Sequence, residues 1–326
     1  MITNDLYSKI LLEPAERGGD ELFIVSGYAS ATFARRHLKD LSERKEDTKI
    51  NLIIGMPKNT VDHNAYLQLH TEFGNRFRGY YLKSTPPVHS KVFTWFNSGK
   101  PQEAYSGSAN YSQYGFFEDK QRNQMVSDNS IEIKNFFDDL LSSSIFMPHA
   151  EIDNSAVFYR VQKVHGSVPA GGVEWIELGK TVRISFLDKK GMLPPVSGLN
   201  WGQRKEKRIN KGTGEVKYVL REKNQAYLSL KGDVREEGFL PKMAYNFTLL
   251  TDDNASFDCV VAQEGRKAIH STNDNSELGR YFRKRLGLEP GAFVTVEDLE
   301  RYGRTDYTLS KIDDENFLLD FSVKPN

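Results

Sequence analysis

The chain has 326 residues and weighs 37.2 kDa, long for one domain and comfortable for two. Its 38% hydrophobic and 27% charged residues, with 44 basic against 44 acidic side chains, form a globular composition that excludes a disordered tail protein and a collagen-like repeat. Cys259 is the one cysteine, so an intrachain disulfide and a multi-thiolate zinc site are excluded; no apolar run reaches the about 18 residues of a membrane span and the N-terminus carries no secretion signal, so the expectation is a cytoplasmic protein with no membrane partner.

The first half alternates strand and helix. Residues 22–26 (Leu-Phe-Ile-Val-Ser) predict a buried strand ending at Gly27, and 30–43 a helix with Ser30 as N-cap. A second strand is expected at 51–55, a helix at 60–74 and a third strand at 79–83. The order βαβαβ predicts a mostly parallel sheet flanked by helices. Residues 92–96 and 103–106 predict a hairpin, with Asn97-Ser98-Gly99-Lys100-Pro101 as its turn, and 130–143 a last helix.

The texture changes near residue 145. Pro148, Pro169 and Gly171-Gly172 mark a linker over 148–172, dividing the chain into domains at 1–147 and 173–326. Short strands with Gly, Asp and Asn between them follow at 181–187, 217–220, 226–230, 245–251, 257–262 and 316–321, interrupted by one helix at 276–286. That pattern predicts an antiparallel barrel.

Chemistry concentrates at Val88-His89-Ser90-Lys91 and Ser106-Gly107-Ser108-Ala109-Asn110. On a strand, residues i and i+2 share a face, so His89 and Lys91 point the same way. The partner strand of the hairpin ends at Gly107-Ser108, with Asn110 just beyond. An imidazole, an ammonium and an amide held together suit phosphoryl transfer without metal. The imidazole attacks phosphorus or gives a proton, and the lysine and amide hold the developing charge. The other histidines outside the second half's basic segment (His37, His63, His70, His149, His165) show no metal-ligand spacing and are assigned to packing or surface.

Zero net charge does not exclude nucleic acid, because the charge is unevenly spread. Residues 200–223 hold eight Lys or Arg against three acids, and 262–285 hold six against three. Asn200, Trp201, Gln203, Arg204, Arg208 and Lys211 stand in or beside the first. Lys267, His270, Ser271, Thr272, Asn273, Asn275, Ser276 and Arg280 stand in the second. Asn, Gln and Arg pair with base edges; Lys, Ser and Thr hold phosphates. Ser276 is placed to cap the helix that follows. The competing meaning of each run is a solvated charged loop, and Trp201 has two equal readings, packing under its segment or touching DNA.

His89-x-Lys91 with Gly107-Ser108-Ala109-Asn110 resembles the signature of the phospholipase D superfamily, H-x-K, four residues, D, six residues, G-S-x-N. Position 96, where the Asp would fall, is Phe96, and the gap from Lys91 to Gly107 is four residues too long. The auxiliary Glu of such nucleases has Gln124 in its region. Leu199-Asn200-Trp201-Gly202-Gln203-Arg204, Asn275 to Arg283 and Tyr302-Gly303-Arg304-Thr305-Asp306 resemble the C-terminal region of NgoFVII- and NgoAVII-type restriction endonucleases.

The resemblance implies an α/β phospholipase D-like sandwich domain joined to an all-β, B3-like pseudobarrel. It implies a site-specific endonuclease working through a covalent His89 phosphoenzyme without metal or cofactor. Lys91 and Asn110 would bind phosphate, with Ser108 and Gln124 assisting. One motif per chain implies a homodimer with a composite site. Two arms, at about 198–211 and 266–280, would clasp double-stranded DNA. The expected partner is a companion methyltransferase, with an accessory NTPase as a further candidate. The alternative is a DNA-binding protein whose nuclease domain is dead and only dimerises; Phe96 and Gln124 speak for it. A lipid-acting phospholipase would want two motifs and a membrane-facing helix.

Overall fold

The computed structural model describes residues 1–44, 47–57, 60–84, 86–117, 122–150, 152, 178–209, 212–235 and 238–323. The expected linker at 148–172 lies outside the described residues apart from 148–150 and Ile152. The chain divides into two units, Met1–Ile176 and Glu177–Asn326.

In the first unit, strands β1 (Glu21–Ser26), β2 (Lys49–Ile54) and β3 (Phe77–Leu82) run parallel. Strands β4 (Lys91–Asn97), β5 (Lys100–Gly107), β6 (Met125–Ser127) and β7 (Ser144–Phe146) complete a mixed sheet in the order β6-β5-β4-β1-β2-β3-β7. After α1 (Glu13–Glu16), helices α2 (Ala31–Ser42) and α3 (His63–Phe73) share a core with Leu22, Ile24, Leu52 and Ile54. A one-turn α4 (Gln113–Phe116) follows β5, and Val25, Ile53 and Leu82 instead pack on Phe137 of α5 (Ser130–Ser142). Burial on both faces explains why β1 and β2 read as continuous apolar runs rather than alternating ones. Ser30 caps α2 by accepting from the Phe33 N–H at 3.3 Å, and Asn129 caps α5 through Ile131 and Glu132.

The hairpin turn is tighter than expected. β4 runs to Asn97 and β5 starts at Lys100, so only Ser98 and Gly99 turn, both with positive φ. Such a pair matches the twist of the strands. Trp95 opposes Glu103 and Phe96 opposes Pro101, so Gln102 is a bulge. The short edge strands β6 and β7 escape sequence reading at three residues each.

His37 is fully buried, with Tyr111 Oη at 2.8 Å from Nδ1 and the Leu11 carbonyl at 2.9 Å from Nε2. Burial holds its pKa down to about 4, against 6.5 ordinarily. The unfolded chain therefore binds the extra proton first, and stability is lost as pH falls from about 6.5 towards 4. At about 1.4 kcal/mol per pH unit, the expected loss is roughly 3 kcal/mol from this residue. His70, also held down to about 4 by burial, adds in the same direction, screened by its greater exposure to solvent. Urea midpoints measured at pH 7 and pH 4.5 check this: His37→Gln should flatten the dependence, and an unchanged slope would remove His37 from the account.

In the second unit, the order β11-β14-β13-β12-β16-β15-β8 joins β8 (Thr181–Ser185), β11 (Leu228–Ser229), β12 (Asn246–Thr251), β13 (Ser256–Ala262), β14 (Ala268–Ser271), β15 (Asp306–Lys311) and β16 (Asn316–Asp320). All pairs are antiparallel except β12 with β16, which corrects the purely antiparallel expectation. Phe247, Leu249, Cys259, Phe317 and Leu319 share a core with Leu278 and Phe282 of α6 (Glu277–Arg285). A helix α7 (Val296–Tyr302) went unread, although Thr295 and Asp298 form a capping box and Gly303 closes it in the left-handed region. Strands β9 (Lys205–Ile209) and β10 (Val216–Leu220) form a separate two-stranded ribbon. Among the described residues, no helix is long and apolar enough to cross a membrane.

Candidate functional site

The motif residues gather at the carboxyl ends of β1 and β2, where ligands lie in open α/β sheets. The segment before β4 is tied there by two backbone bonds, Gly27 N–H to the Ser90 carbonyl (2.9 Å) and Val88 N–H to the Gly55 carbonyl (3.1 Å). A side chain at Gly27 would press within 2.7 Å of His89 Cδ2, so the close approach needs glycine. His89 is exposed, and its ring meets Tyr28 edge to face, with centroids 5.5 Å apart at 86°. Lys91 opens β4 opposite Ser26; its ammonium donates to the His89 carbonyl at 2.7 Å, and burial lowers its pKa.

β5 delivers the second half. Gly107 ends the strand where any side chain would strike the Gln124 carbonyl at 2.1 Å. Ser108 donates its N–H to that carbonyl, and its hydroxyl accepts from the Gln124 N–H, both at 3.0 Å. The same hydroxyl donates to Asn123 Oδ1 at 3.0 Å. Asn110 Oδ1 lies 3.4 Å from the Tyr28 N–H. Tyr28 thus touches His89 on one side and Asn110 on the other. Gln124 is exposed, and its backbone, rather than its side chain, carries the contact with Ser108. Sequence reading passed over Asn123 and Tyr28; Asn123 sits one place before Gln124, and Tyr28 follows the glycine that ends β1.

Phe96 sits five residues along β4 from Lys91, about 16 Å away at strand rise. It is buried against Phe23 beside the hairpin turn. The four extra residues lengthen the hairpin at that far end, so the motif end keeps its pairing, Val92 opposite Ser106. Among the described residues no group of His, Cys, Asp and Glu is placed to hold a metal ion.

In the second unit the reader candidates divide. Asn200 is fully buried; its amide donates to the Val294 carbonyl at 2.8 Å and accepts from the Val294 N–H at 2.9 Å. It fastens the base of the first segment, a correction to its expected place at the DNA. Ser276 is also buried and makes no side-chain cap; it donates to Glu222. Ser271 donates to the Asp274 carbonyl and Thr272 to the Asp258 carbonyl, so both hold the loop together. Gln203 commits its amide N–H to Gly291 at 3.2 Å. Arg266, Arg283 and Arg285, which swell the second basic run, are spent on inward carbonyls and on Asp252.

Trp201 packs rather than standing clear. It lies edge-on to Tyr227 and His270, with the Arg221 guanidinium 4.2 Å over its ring. His270 stacks on Tyr227 at 7°, bonds Asn275 through Nδ1 at 3.2 Å, and has its pKa lowered by burial. Arg204, Lys267, Asn273 and Arg280 are exposed, and Arg280 pairs with Asp274. Lys211 and the side chain of Arg208 lie outside the described residues. Tyr302 and Arg304 are structural: the Tyr302 hydroxyl donates to the Phe321 carbonyl, and Arg304 bonds Asp306 and Asp320.

The ribbon is exposed along β10. Tyr218 is 69% exposed and Leu220 60%. On that face they lie opposite Lys207 and Lys205. A two-stranded ribbon of this kind fits the major groove of B-DNA.

Two family profiles match the chain. Residues 4–154 match the NgoFVII restriction endonuclease N-terminal PLD domain, and residues 175–313 the NgoFVII C-terminal B3-like DNA-binding domain. Nuc from Salmonella typhimurium, a phospholipase D family member, is 14% identical with a TM-score of 0.32, covering 42% of this chain and 87% of that one. NucT from Helicobacter pylori is 16% identical with a TM-score of 0.31 and the same two coverages. Polyphosphate kinase from Porphyromonas gingivalis is 14% identical with a TM-score of 0.27, covering 43% of this chain and 22% of that one. No curated protein matches.

Proposed function

The chain belongs to the NgoFVII restriction-endonuclease family, a PLD nuclease domain joined to a B3-like DNA-binding domain, and from that premise we propose how it cuts and where it reads. We assign cutting and dimerisation to residues 1–147 and reading to 173–326. His89 attacks the scissile phosphorus and forms a phosphohistidine as the leaving oxygen departs. That oxygen takes its proton from His89 of the partner subunit. Water then attacks the phosphohistidine, gives up its proton to the second imidazole, and frees the DNA phosphate and His89.

Lys91 and Asn110 bind the phosphoryl oxygens, and Ser108 is held ready by Asn123 and the Gln124 backbone. An imidazole, an ammonium, a hydroxyl and an amide are the groups that nucleophilic and proton-transfer chemistry at phosphorus uses. The observation that carries the reading is Tyr28 touching both His89 and Asn110, which joins the two halves of the motif at one strand end. A companion methyltransferase would protect the cell's own DNA, and an accessory NTPase is a further proposed partner.

The test is digestion of a long unmodified DNA in excess EDTA. Discrete fragments are expected. Absence of fragments from the protein alone, and again with ATP, Mg²⁺ and cell extract, would favour the rival, a binder with a dead nuclease domain.

For reading, we propose that the β9–β10 ribbon with Arg204 forms one arm, and the segment from the loop after β13 to α6, with Lys267, Asn273 and Arg280, the other. Lys207→Ala and Lys267→Ala should each weaken binding and lower the salt slope by about one. Fluorescence anisotropy across salt concentrations measures this. Unchanged slopes in both variants would place DNA elsewhere.

A further inference from the structure

We propose that Tyr28 is a positioning residue of the nuclease site, its ring holding the imidazole of His89 in line for attack. The inference rests on the reading of His89 as nucleophile. An attacking imidazole needs a third group to orient it. The resembling family uses a carboxylate nearby, and this chain has Gln124 in that region. Among the described residues, no hydrogen bond fixes the His89 ring. Gly27 and Tyr28 lie beside it.

Tyr28 is built to serve. Its backbone is pinned: the Gly27 carbonyl before it accepts from the Met56 N–H at 3.0 Å, and the Ser26 hydroxyl donates to the Tyr28 carbonyl. Ser26 also accepts from the Tyr111 N–H at 3.0 Å, and Ala29 pairs with Tyr111. The ring therefore hangs from a fixed point and meets His89 nearly at right angles, the geometry aromatic pairs prefer. At 36% exposure it contributes little to the core, so a purely structural role predicts little effect of removing it.

The experiment uses the full chain labelled at its seven histidines. Tyr28→Phe keeps the ring; Tyr28→Leu and Tyr28→Ala remove it. NMR reads the His89 ring signals, assigned with His89→Gln, and single-turnover cleavage reads the chemistry. With Phe, both should stay within about twofold of the parent. With Leu or Ala, the His89 signals should lose their ring-current shift, and the cleavage rate should fall about tenfold or more at unchanged DNA affinity. Unmoved His89 signals, or an unchanged rate, in both ring-less variants would overturn the proposal. So would a Phe variant as slow as Ala, which would make the hydroxyl the active part. If His89→Gln cleaves like the parent, the nucleophile reading fails, while the NMR signals still report whether Tyr28 holds the ring.

Discussion

His89→Ala is expected to lower cleavage by on the order of 10⁴–10⁶-fold, the usual cost of removing a covalent nucleophile. The proposed mechanism gives Lys91, Ser108, Asn110 and Asn123 only charge-holding and positioning roles, so none of them is expected to replace it. In the proposed mechanism both chemical steps pass through this imidazole, as nucleophile in one subunit and as acid in the other, so a homodimer of the variant would lose both. DNA affinity should stay within about twofold, because the reading surface lies in the other unit. Single-turnover rates beside anisotropy separate the two. A variant that still cuts within tenfold of the parent would remove His89 from the mechanism.

Lys91→Met should lower the cleavage rate by about 10²–10³-fold, the magnitude seen when one preorganised charge partner is removed. The ammonium is half-buried at the start of β4, where partial exclusion of water would strengthen its proposed pull on a phosphoryl oxygen. Burial also lowers its pKa. The rate should therefore fall on the alkaline side below lysine's ordinary value, and Lys91→Arg should move that limb upward while keeping part of the rate. A Met variant with an unaltered alkaline limb would assign the limb to another group. Methionine nearly matches the stem in length, so lost packing contributes little.

The nuclease half was legible because its signals are local. Apolar runs at 22–26 and 51–55 are strands buried on both faces. His89-x-Lys91 and Gly107-Ser108-x-Asn110 are short motifs that one hairpin brings together. The reading half was less legible, because an amide or hydroxyl does not show which way it faces. Asn200 is a plausible base reader by type, yet its partner Val294 is 94 residues away and inside the fold. Ser276 lost its capping role to a bond with Glu222, 54 residues upstream. β9 went unseen because Lys-Glu-Lys-Arg-Ile looks like a charged loop; only pairing with β10 makes it a strand. Likewise the second basic run overstated the reading surface, since Arg266, Arg283 and Arg285 serve the fold.

The most direct test of the central claim is to trap the covalent intermediate. DNA carrying the recognition site, labelled at its phosphates, is mixed with the enzyme and quenched in alkali within the first turnover, and the peptides are sequenced by mass spectrometry. The account predicts phosphorylated DNA joined to a peptide containing His89, stable in alkali, lost in acid and absent from His89→Ala. Cleavage at the full rate with no adduct, or an adduct on another residue, would contradict it.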